Sequence, residues 1–172
     1  DNPGIANNLV MGPWQHGGWS RSRGDHLGNI GFGSNTAAYF RERIETVFFQ
    51  AHLKDGHLPA LPEATVFETG TNQWRQFDQW PPQEMQRRRV YFREAGRLEF
   101  DAPAETGNVS DEFVSDPHKP VPFLDDISIG MDYSYMTDDQ RFAARRPDVL
   151  VYQTSVLEKD LKLCGPLGAE LH

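Results

Sequence analysis

Apolar and polar residues follow different periods along the first half of the chain. Residues 8–12, NLVMG, form a short apolar run closed by Gly-Pro, which is typical of a buried strand. Residues 36–54, TAAYFRERIETVFFQAHLK, place apolar side chains at spacings near three and four, which predicts an amphipathic helix. Residues 62–70, PEATVFETG, alternate between polar and apolar side chains and predict a second strand.

Turn and loop residues separate these elements. Thr36 or Ser34 is the expected N-cap of the helix, and the Asp-Gly pair at 55–56 is expected to end it. Residues 13–35 are rich in Gly, Ser, Arg and Asn and predict a long loop, which is uncommon in a compact domain unless it serves a site or a partner. Residues 71–82 are interpreted as a polar connection that carries two tryptophans and a phenylalanine.

The pattern changes after the Pro-Pro pair at 81–82. Short strand-like segments then follow one another, at residues 88–94, 97–103, 111–117, 149–157 and 161–165. Pro, Gly, Asn and Asp separate them, which is typical of an antiparallel sandwich or jelly roll. We therefore expect two domains, with residues 1–84 as the end of an α/β domain and residues 85–172 as the beginning of an all-β domain.

Length, charge and cysteine content narrow the function classes. The 172 residues suffice for one domain or two small ones. A net charge of −8 argues against a nucleic-acid partner, because phosphate-binding surfaces are basic. No apolar run approaches the roughly 20 residues of a membrane-spanning helix. The single cysteine, Cys164, allows no internal disulfide and is expected to be a small core or sheet residue. Both ends are interpreted as cuts through a longer protein.

A lone histidine, His16, lies in the stretch MGPWQHGGW just after the first predicted strand. Imidazole titrates near neutral pH, so this position suits a general base. In α/β-hydrolases the triad residues come in the order Ser, Asp or Glu, then His, and the serine lies on a Gly-x-Ser-x-Gly elbow. No such elbow is present, Asp25 follows the histidine, and Asp1 is the one carboxylate before it. Spacing alone therefore favours a structural loop histidine.

The other chemical motifs favour ordinary structural roles. The glycine-rich stretch at 28–33 follows no strand and predicts a turn rather than a phosphate loop. The Arg-Gly-Asp at 23–25 is interpreted as a chance match. The acidic pairs at 125–126 and 138–139 have no EF-hand spacing. His52, His57, His118 and His172 have no metal-ligand spacing, so no metal or other cofactor is indicated.

Aromatic residues cluster around the histidine and before the predicted second domain. Trp74, Phe77 and Trp80 are expected to pack between the two domains rather than to bind a ligand. Trp14 and Trp19 flank the histidine loop. The sequence leaves open whether Trp19 lines a substrate pocket.

Five segments of the chain resemble one enzyme family. The string LVMGPWQHGGW resembles the histidine loop of the serine hydrolases related to cocaine esterase, α-amino-acid ester hydrolases, glutaryl-7-aminocephalosporanic acid acylases and X-prolyl dipeptidyl aminopeptidases. Members carry Gly-Pro-Trp-x-His there, and Gly12, Pro13, Trp14 and His16 match it. The further matching segments are residues 48–56, 66–82, 115–123 and 145–166.

The resemblance implies a fold and a reaction. Residues 1–84 would be the last strand, histidine loop and helix of an α/β-hydrolase domain, and residues 85–172 the start of a jelly roll. His16 would be the triad base of an enzyme that cleaves ester or amide bonds through an acyl-enzyme. The serine, the acid and the oxyanion tyrosine would lie on an upstream segment, so this chain alone would be inactive. Trp19 would be a substrate-binding residue.

Within the family, residues 17–33 most resemble the ester-hydrolase and acylase branch. An X-prolyl dipeptidyl peptidase is the alternative enzyme, and a non-catalytic jelly-roll module that binds carbohydrate is the alternative from another class. The expected partner is a small ester or amide substrate. Homo-oligomerisation stays open. Export to the periplasm or medium is suggested because related ester hydrolases are often exported.

Overall fold

The chain, described by a computed structural model over residues 5–54, 60–104, 110–130 and 132–171, divides into two units. The first contains the residues up to Met85 together with those from Gly165 onwards. The second is Gln86–Cys164. Each unit has its own secondary structure and its own buried side chains.

The first unit alternates strands and helices. Its elements in chain order are β1 (Leu9–Met11), α1 (Gly18–Arg21), β2 (His26–Leu27), β3 (Ile30–Gly31), α2 (Thr36–Phe40), a π-helical turn (Arg41–Glu45), α3 (Thr46–Leu53), β4 (Ala64–Glu68) and β5 (Gln73–Phe77). The three longest strands form one sheet in the order β1-β4-β5. Strand β1 is parallel to β4, and β4 is antiparallel to β5. The chain between the parallel strands contains all the helices of this unit, as a parallel connection requires.

The predicted helix is confirmed from Thr36 to Leu53, but it is not regular. A five-residue π-helical turn interrupts it at Arg41–Glu45. The N-cap is Asn35, whose side-chain oxygen accepts a 2.9 Å hydrogen bond from the amide of Ala38. The expectation of Thr36 or Ser34 as the cap is wrong, because the Thr36 hydroxyl is buried and bonded elsewhere. The Asp-Gly pair at 55–56 lies outside the described residues.

Both predicted strands of the first unit are confirmed, with one correction to burial and one to topology. Met11 of β1 is 57% exposed, so this strand is not fully buried. The interpretation of residues 71–82 as a connection is wrong, because β5 forms within them. Its polar side chains are tolerated because β5 is the outer strand of the sheet, where one face and one edge meet water. The predicted loop at 13–35 contains α1 and the short β2–β3 ladder.

The core of the first unit lies between the sheet and the helical segment. Its buried apolar side chains among the described residues are Phe32, Ala37, Ile44, Ala64 and Phe67. The rings of Phe32 and Phe67 meet edge to face, with centroids 5.4 Å apart. The ring of Tyr39 in α2 stacks on the ring of Trp74 in β5, with centroids 4.9 Å apart, so aromatic packing joins the helix to the sheet.

The second unit contains one hairpin and short helical turns. Its elements are β6 (Tyr91–Arg93), β7 (Arg97–Glu99), 3-10 turns at Glu94–Gly96 and Ser134–Met136, and α4 (Arg141–Ala144). Strands β6 and β7 are antiparallel, which confirms the strands predicted at 88–94 and 97–103. Leu124 is the fully buried apolar residue among those described in this unit.

The all-β interpretation of residues 85–172 is only partly met. No strand forms at 111–117 or 161–165 in the described residues, so those two predictions are wrong. Residues 149–157 contribute one bridge, between Gln153 and Arg97. Apolar alternation makes a segment suitable for a strand, but a strand forms only where a neighbouring strand offers hydrogen bonds. The sequence predicts the start of a jelly roll here, whereas the described part of this unit contains one hairpin and the short helix α4.

Candidate functional site

His16 lies on the turn that connects β1 to α1. The turn follows from its sequence, since Pro13 cannot continue a sheet ladder and Gly17 adopts φ +76°, a left-handed conformation that glycine accepts without strain. The His16 side chain is exposed, and its ring meets the ring of Trp19 edge to face with centroids 6.2 Å apart. The strand that precedes it is parallel to β4, so His16 stands beyond the carboxyl end of a parallel strand.

Trp14 anchors this turn to the rest of the unit. Its ring packs against Trp19, Phe40 and Trp74, with centroids 6.2, 5.4 and 5.7 Å away. These partners belong to α1, α2 and β5, so one side chain contacts three elements. Such aromatic clusters contribute apolar burial together with favourable edge-to-face geometry.

Hydrogen bonds fix the Trp14 ring further. Its indole Nε1 donates a 2.7 Å hydrogen bond to Oγ1 of Thr36, the first residue of α2. The hydroxyl of Thr36 in turn donates to the carbonyl oxygen of Gly24. Thr36 has no exposed surface, so both bonds form away from water, where a lost partner is costly. The start of α2 is thereby tied to two points of the loop that contains His16.

Trp19 lies between Trp14 and His16. It is half-buried, and its ring contacts both neighbours. Its carbonyl oxygen accepts a 2.7 Å hydrogen bond from Nη1 of Arg41 in the π-helical turn. Trp19 is therefore fixed both at its backbone and at its ring. The same ring contacts the imidazole of His16.

The described residues bring no triad partner to His16. No hydrogen-bond acceptor or donor for its imidazole is found in this part of the chain. Asp25 accepts instead from Arg23 at 3.1 Å and lies 2.8 Å from Nδ1 of His26. The hydrogen bond with the His26 side chain is the main cause that holds the pKa of Asp25 below its usual value. The Asp25 carboxylate therefore bonds to other side chains and not to His16. Asp25 also follows His16 in the chain, whereas the acid of an α/β-hydrolase triad precedes the histidine.

The nearby serines are engaged in local bonds. Ser20 Oγ donates to the carbonyl of Gly17 at 3.1 Å, and Ser22 Oγ donates to the carbonyl of Gly18 at 3.0 Å. Both bonds lie within one turn of α1 and satisfy its backbone. Neither hydroxyl contacts His16, so neither is placed as a nucleophile in this structure.

The sequence-based prediction misses several residues that contact the tryptophans around His16. Arg41, Thr36 and Tyr39 contact the tryptophans of the site, yet the sequence presents Arg41 and Tyr39 as ordinary helix residues and Thr36 as a helix cap. The ring of Tyr39 stacks on Trp74 at 4.9 Å, and Phe67 packs against the same indole. Trp74 therefore packs against residues of the first unit, while Phe77 and Trp80 contact each other edge to face with centroids 5.4 Å apart. The prediction that Trp74, Phe77 and Trp80 pack between the two domains stays a prediction.

No metal centre is formed by the residues described. Within them, no three His, Cys, Asp or Glu side chains come close enough to hold an ion. His52 packs on Phe48 at 4.5 Å, and Cys164 is half-buried outside any strand. Asp1, His57 and His172 lie outside the described residues. None of the helices described is both long and apolar enough to cross a membrane.

Comparisons with known proteins agree on one family. Residues 57–172 match the family described as the X-Pro dipeptidyl-peptidase C-terminal non-catalytic domain. The chain is 26% identical over 172 residues to the cocaine esterase of Rhodococcus sp. (strain MB1 Bresler), covering 95% of this chain and 30% of that protein.

Two solved structures resemble the fold. An aminopeptidase from a marine sediment Thaumarchaeota archaeon is 36% identical with a TM-score of 0.75, covering 89% of this chain and 26% of that one. An α-amino acid ester hydrolase is 34% identical with a TM-score of 0.76, covering 92% of this chain and 27% of that one. The chain thus spans less than a third of the length of these relatives.

Proposed function

The chain belongs to the family of X-Pro dipeptidyl-peptidase C-terminal non-catalytic domains, and from that premise we propose that it is the carboxy-terminal part of a serine hydrolase. The family match begins at residue 57, so His16 lies ahead of the matched residues, whereas β4 and β5 of the first unit lie within them. We assign residues 1–84 to the end of an α/β-hydrolase catalytic domain and residues 85–172 to the start of its β-rich C-terminal domain. In this proposal His16 is the triad base.

One observation carries this proposal above all. The exposed imidazole of His16 follows the carboxyl end of β1, a strand that runs parallel to β4. In open α/β sheets, sites form beyond the carboxyl ends of parallel strands. The Gly12-Pro13-Trp14-x-His16 string supports this role, because the family that the chain resembles carries its triad base in the same string.

The proposed reaction follows the acyl-enzyme route. A serine on the upstream segment attacks the carbonyl carbon of an ester or amide, and His16 accepts the serine proton. His16 then gives this proton to the departing alcohol or amine as the carbon–leaving-group bond breaks. Water attacks the resulting acyl-serine by the same two steps. An upstream Asp would orient His16, and a tyrosine with backbone amides would hold the oxyanion.

The relatives indicate the class of substrate. A cocaine esterase, an α-amino acid ester hydrolase and an aminopeptidase all match this chain. We propose a small ester or amide substrate with an acyl group of the α-amino-acid or β-lactam side-chain type, cleaved without a cofactor. Trp19, beside His16, is the proposed substrate-facing residue. The acidic net charge of −8 does not favour nucleic acid.

Covalent labelling of the full-length protein that contains this chain tests the proposal. A fluorophosphonate probe bonds to an activated serine and releases fluoride, while the serine proton passes to the base. We expect an adduct on a serine upstream of this chain, and we expect its formation to slow strongly in His16→Ala. His26→Ala is the matched control, since His26 is an exposed histidine of β2 that pairs with Asp25. An adduct that forms at the wild-type rate in His16→Ala contradicts the proposal.

The match to an aminopeptidase favours a second candidate function, that of a peptidase, for example an X-prolyl dipeptidyl peptidase. Comparing kcat/KM for an α-amino-acid ester with that for an X-Pro anilide separates the two enzymes. We expect the ester to be the better substrate. Absence of any serine adduct, together with binding to immobilised carbohydrate, would instead support a non-catalytic binding module.

A further inference from the structure

The guanidinium of Arg41 reaches across to the histidine loop. Its Nη1 donates a 2.7 Å hydrogen bond to the carbonyl oxygen of Trp19, which lies 22 positions earlier in the chain. Among the residues described, this carbonyl is the acceptor found for the Arg41 side chain. A hydrogen bond from a charged donor is stronger than one between neutral groups.

The position of Arg41 in the helix is unusual. It is the first residue of the π-helical turn, and such turns occur mostly as single turns within α-helices, frequently at functional sites. Its own carbonyl accepts a 2.6 Å hydrogen bond from Oγ1 of Thr46, five residues on, so the irregular backbone is satisfied locally. Because each π-helical bond spans five residues rather than four, the turn changes the phase of the side chains on either side of it.

The carbonyl that Arg41 holds belongs to an element that needs an anchor. Helix α1 has four residues, and its backbone bonds include Arg21 N to Gly17 O at 3.1 Å and Ser22 N to Gly18 O at 3.2 Å. A single helical turn is unstable on its own, so tertiary contacts must fix it. Trp19 lies in this turn, and the bond from Arg41 fixes its backbone.

Trp19 passes this restraint to His16. Its ring meets the imidazole edge to face, with planes at 81° and centroids 6.2 Å apart. Among the described residues, no group forms a hydrogen bond with the His16 imidazole. The contact with the Trp19 ring therefore restrains the orientation of the imidazole. A shift of α1 would move the ring and so release the histidine.

We infer that Arg41 is a positioning residue for His16, which it orients through the backbone and ring of Trp19. The inference rests on the proposed function, because it assumes that His16 is the base. It assigns to the π-helical turn a role that the family resemblance does not supply. Arg41 itself touches no reacting atom in this scheme.

Kinetics of the full-length protein on an α-amino-acid p-nitrophenyl ester test the inference. Arg41→Met keeps the apolar stem and removes the donors. We expect kcat to fall about 10- to 100-fold with KM nearly unchanged, because a small displacement of a catalytic group costs rate rather than binding. Arg41→Lys retains a cationic donor and should recover part of the loss. Arg43→Met, an exposed arginine of the same π-helical turn, is the matched control and should match wild type.

A double mutant separates positioning from general destabilisation. In the His16→Ala background, Arg41→Met should have no further effect on the residual rate, because residues that act as a unit are not additive. An Arg41→Met kcat equal to that of Arg43→Met would overturn the inference, and so would an equal loss with and without His16. If Arg41→Met does not fold, Arg41→Gln, which is shorter and uncharged, decides: a lowered kcat at unchanged KM supports the inference, and a wild-type kcat overturns it. Full activity in His16→Ala would instead overturn the proposed function.

Discussion

Trp14 and Thr36 are joined by a 2.7 Å hydrogen bond from the indole Nε1 to the threonine Oγ1. The bond ties the turn that carries His16 to the first residue of α2. Thr36 also donates to the carbonyl of Gly24, so one buried hydroxyl serves as acceptor and donor at once. The candidate base thus stands on a loop that is fixed from within the first unit.

Replacing this hydroxyl by a methyl group should loosen the loop. Thr36→Val leaves the Trp14 Nε1–H and the Gly24 carbonyl without partners in a buried place, which should cost about 1–3 kcal/mol of the free energy of unfolding. Urea unfolding of the full-length protein, followed by tryptophan fluorescence, measures the loss. Thr36→Ser keeps the hydroxyl and is the control. Equal stability of the Val and Ser variants would contradict the role given to this bond.

Gly24 should tolerate no side chain. It has φ +61°, and a Cβ there would overlap Trp14 Nε1 and Thr36 Oγ1. Gly33 has a similar φ of +70° but open space around a Cβ, so Gly33→Ala measures the backbone strain alone. We expect Gly24→Ala to lose about 1–3 kcal/mol more than Gly33→Ala, because overpacking adds to the strain. Thermal unfolding of both variants checks this difference, and equal losses would refute the steric argument.

The sequence predicts the long helix and two of the strands well, and the reasons are local. Helical spacing from Tyr39 to Ala51 and alternation from Ala64 to Glu68 are properties of a few neighbouring residues. Strand β5 is missed because its partner lies in β4, and pairing with an inner strand outweighs the polar character of its sequence. The π-helical turn is missed because Arg41–Glu45 has the composition of an ordinary helix and carries no signal for the longer backbone hydrogen-bond spacing.

The site is predicted at His16 but not around it. The Gly-Pro-Trp-x-His string identifies the histidine by resemblance, whereas Trp19, Thr36 and Arg41, which support the histidine loop, carry no motif. Thr36 reads as a helix cap, and its actual bonds to Trp14 and Gly24 depend on the folded loop. Strands expected at 111–117 and 161–165 fail for a related reason, since no neighbouring strand pairs with them in the described residues.

Substitution of Trp19 distinguishes two roles for this ring. Its edge-to-face contact with His16 predicts that Trp19→Ala lowers kcat, whereas a ring that only lines the substrate pocket would raise KM. We expect a fall in kcat of about tenfold or more with the α-amino-acid ester. Trp19→Phe keeps an aromatic edge and should retain most of the rate. A change confined to KM would assign Trp19 to substrate binding alone.

Asp148 should give the second unit a pH-dependent stability. Arg146 binds it with two hydrogen bonds of 2.8 and 2.6 Å and also donates to the carbonyl of Lys119 at 3.0 Å. The side-chain bond from Arg146 is the main cause that lowers the pKa of Asp148. The pKa of an aspartate in the unfolded chain is about 3.9, and above this pH the ionised Asp148 stabilises the folded state. This contribution is lost as the pH falls through the lower pKa that Asp148 has in the folded state.

The stability difference between wild type and Asp148→Asn should therefore be present at pH 6 and shrink as the pH falls below about 4. Urea midpoints measured across this range check the direction. When Arg146→Met is added to both proteins, the stability difference caused by Asp148→Asn should no longer depend on pH. A difference that grows towards low pH would contradict the assignment.

The value of kcat/KM for His16→Ala, measured on an α-amino-acid ester with the full-length protein, tests the central claim most directly. Removal of a triad base predicts a fall of about 10⁴-fold or more, while the control His26→Ala keeps the wild-type value. A His16→Ala enzyme as active as His26→Ala would show that His16 is a structural loop histidine and not the base.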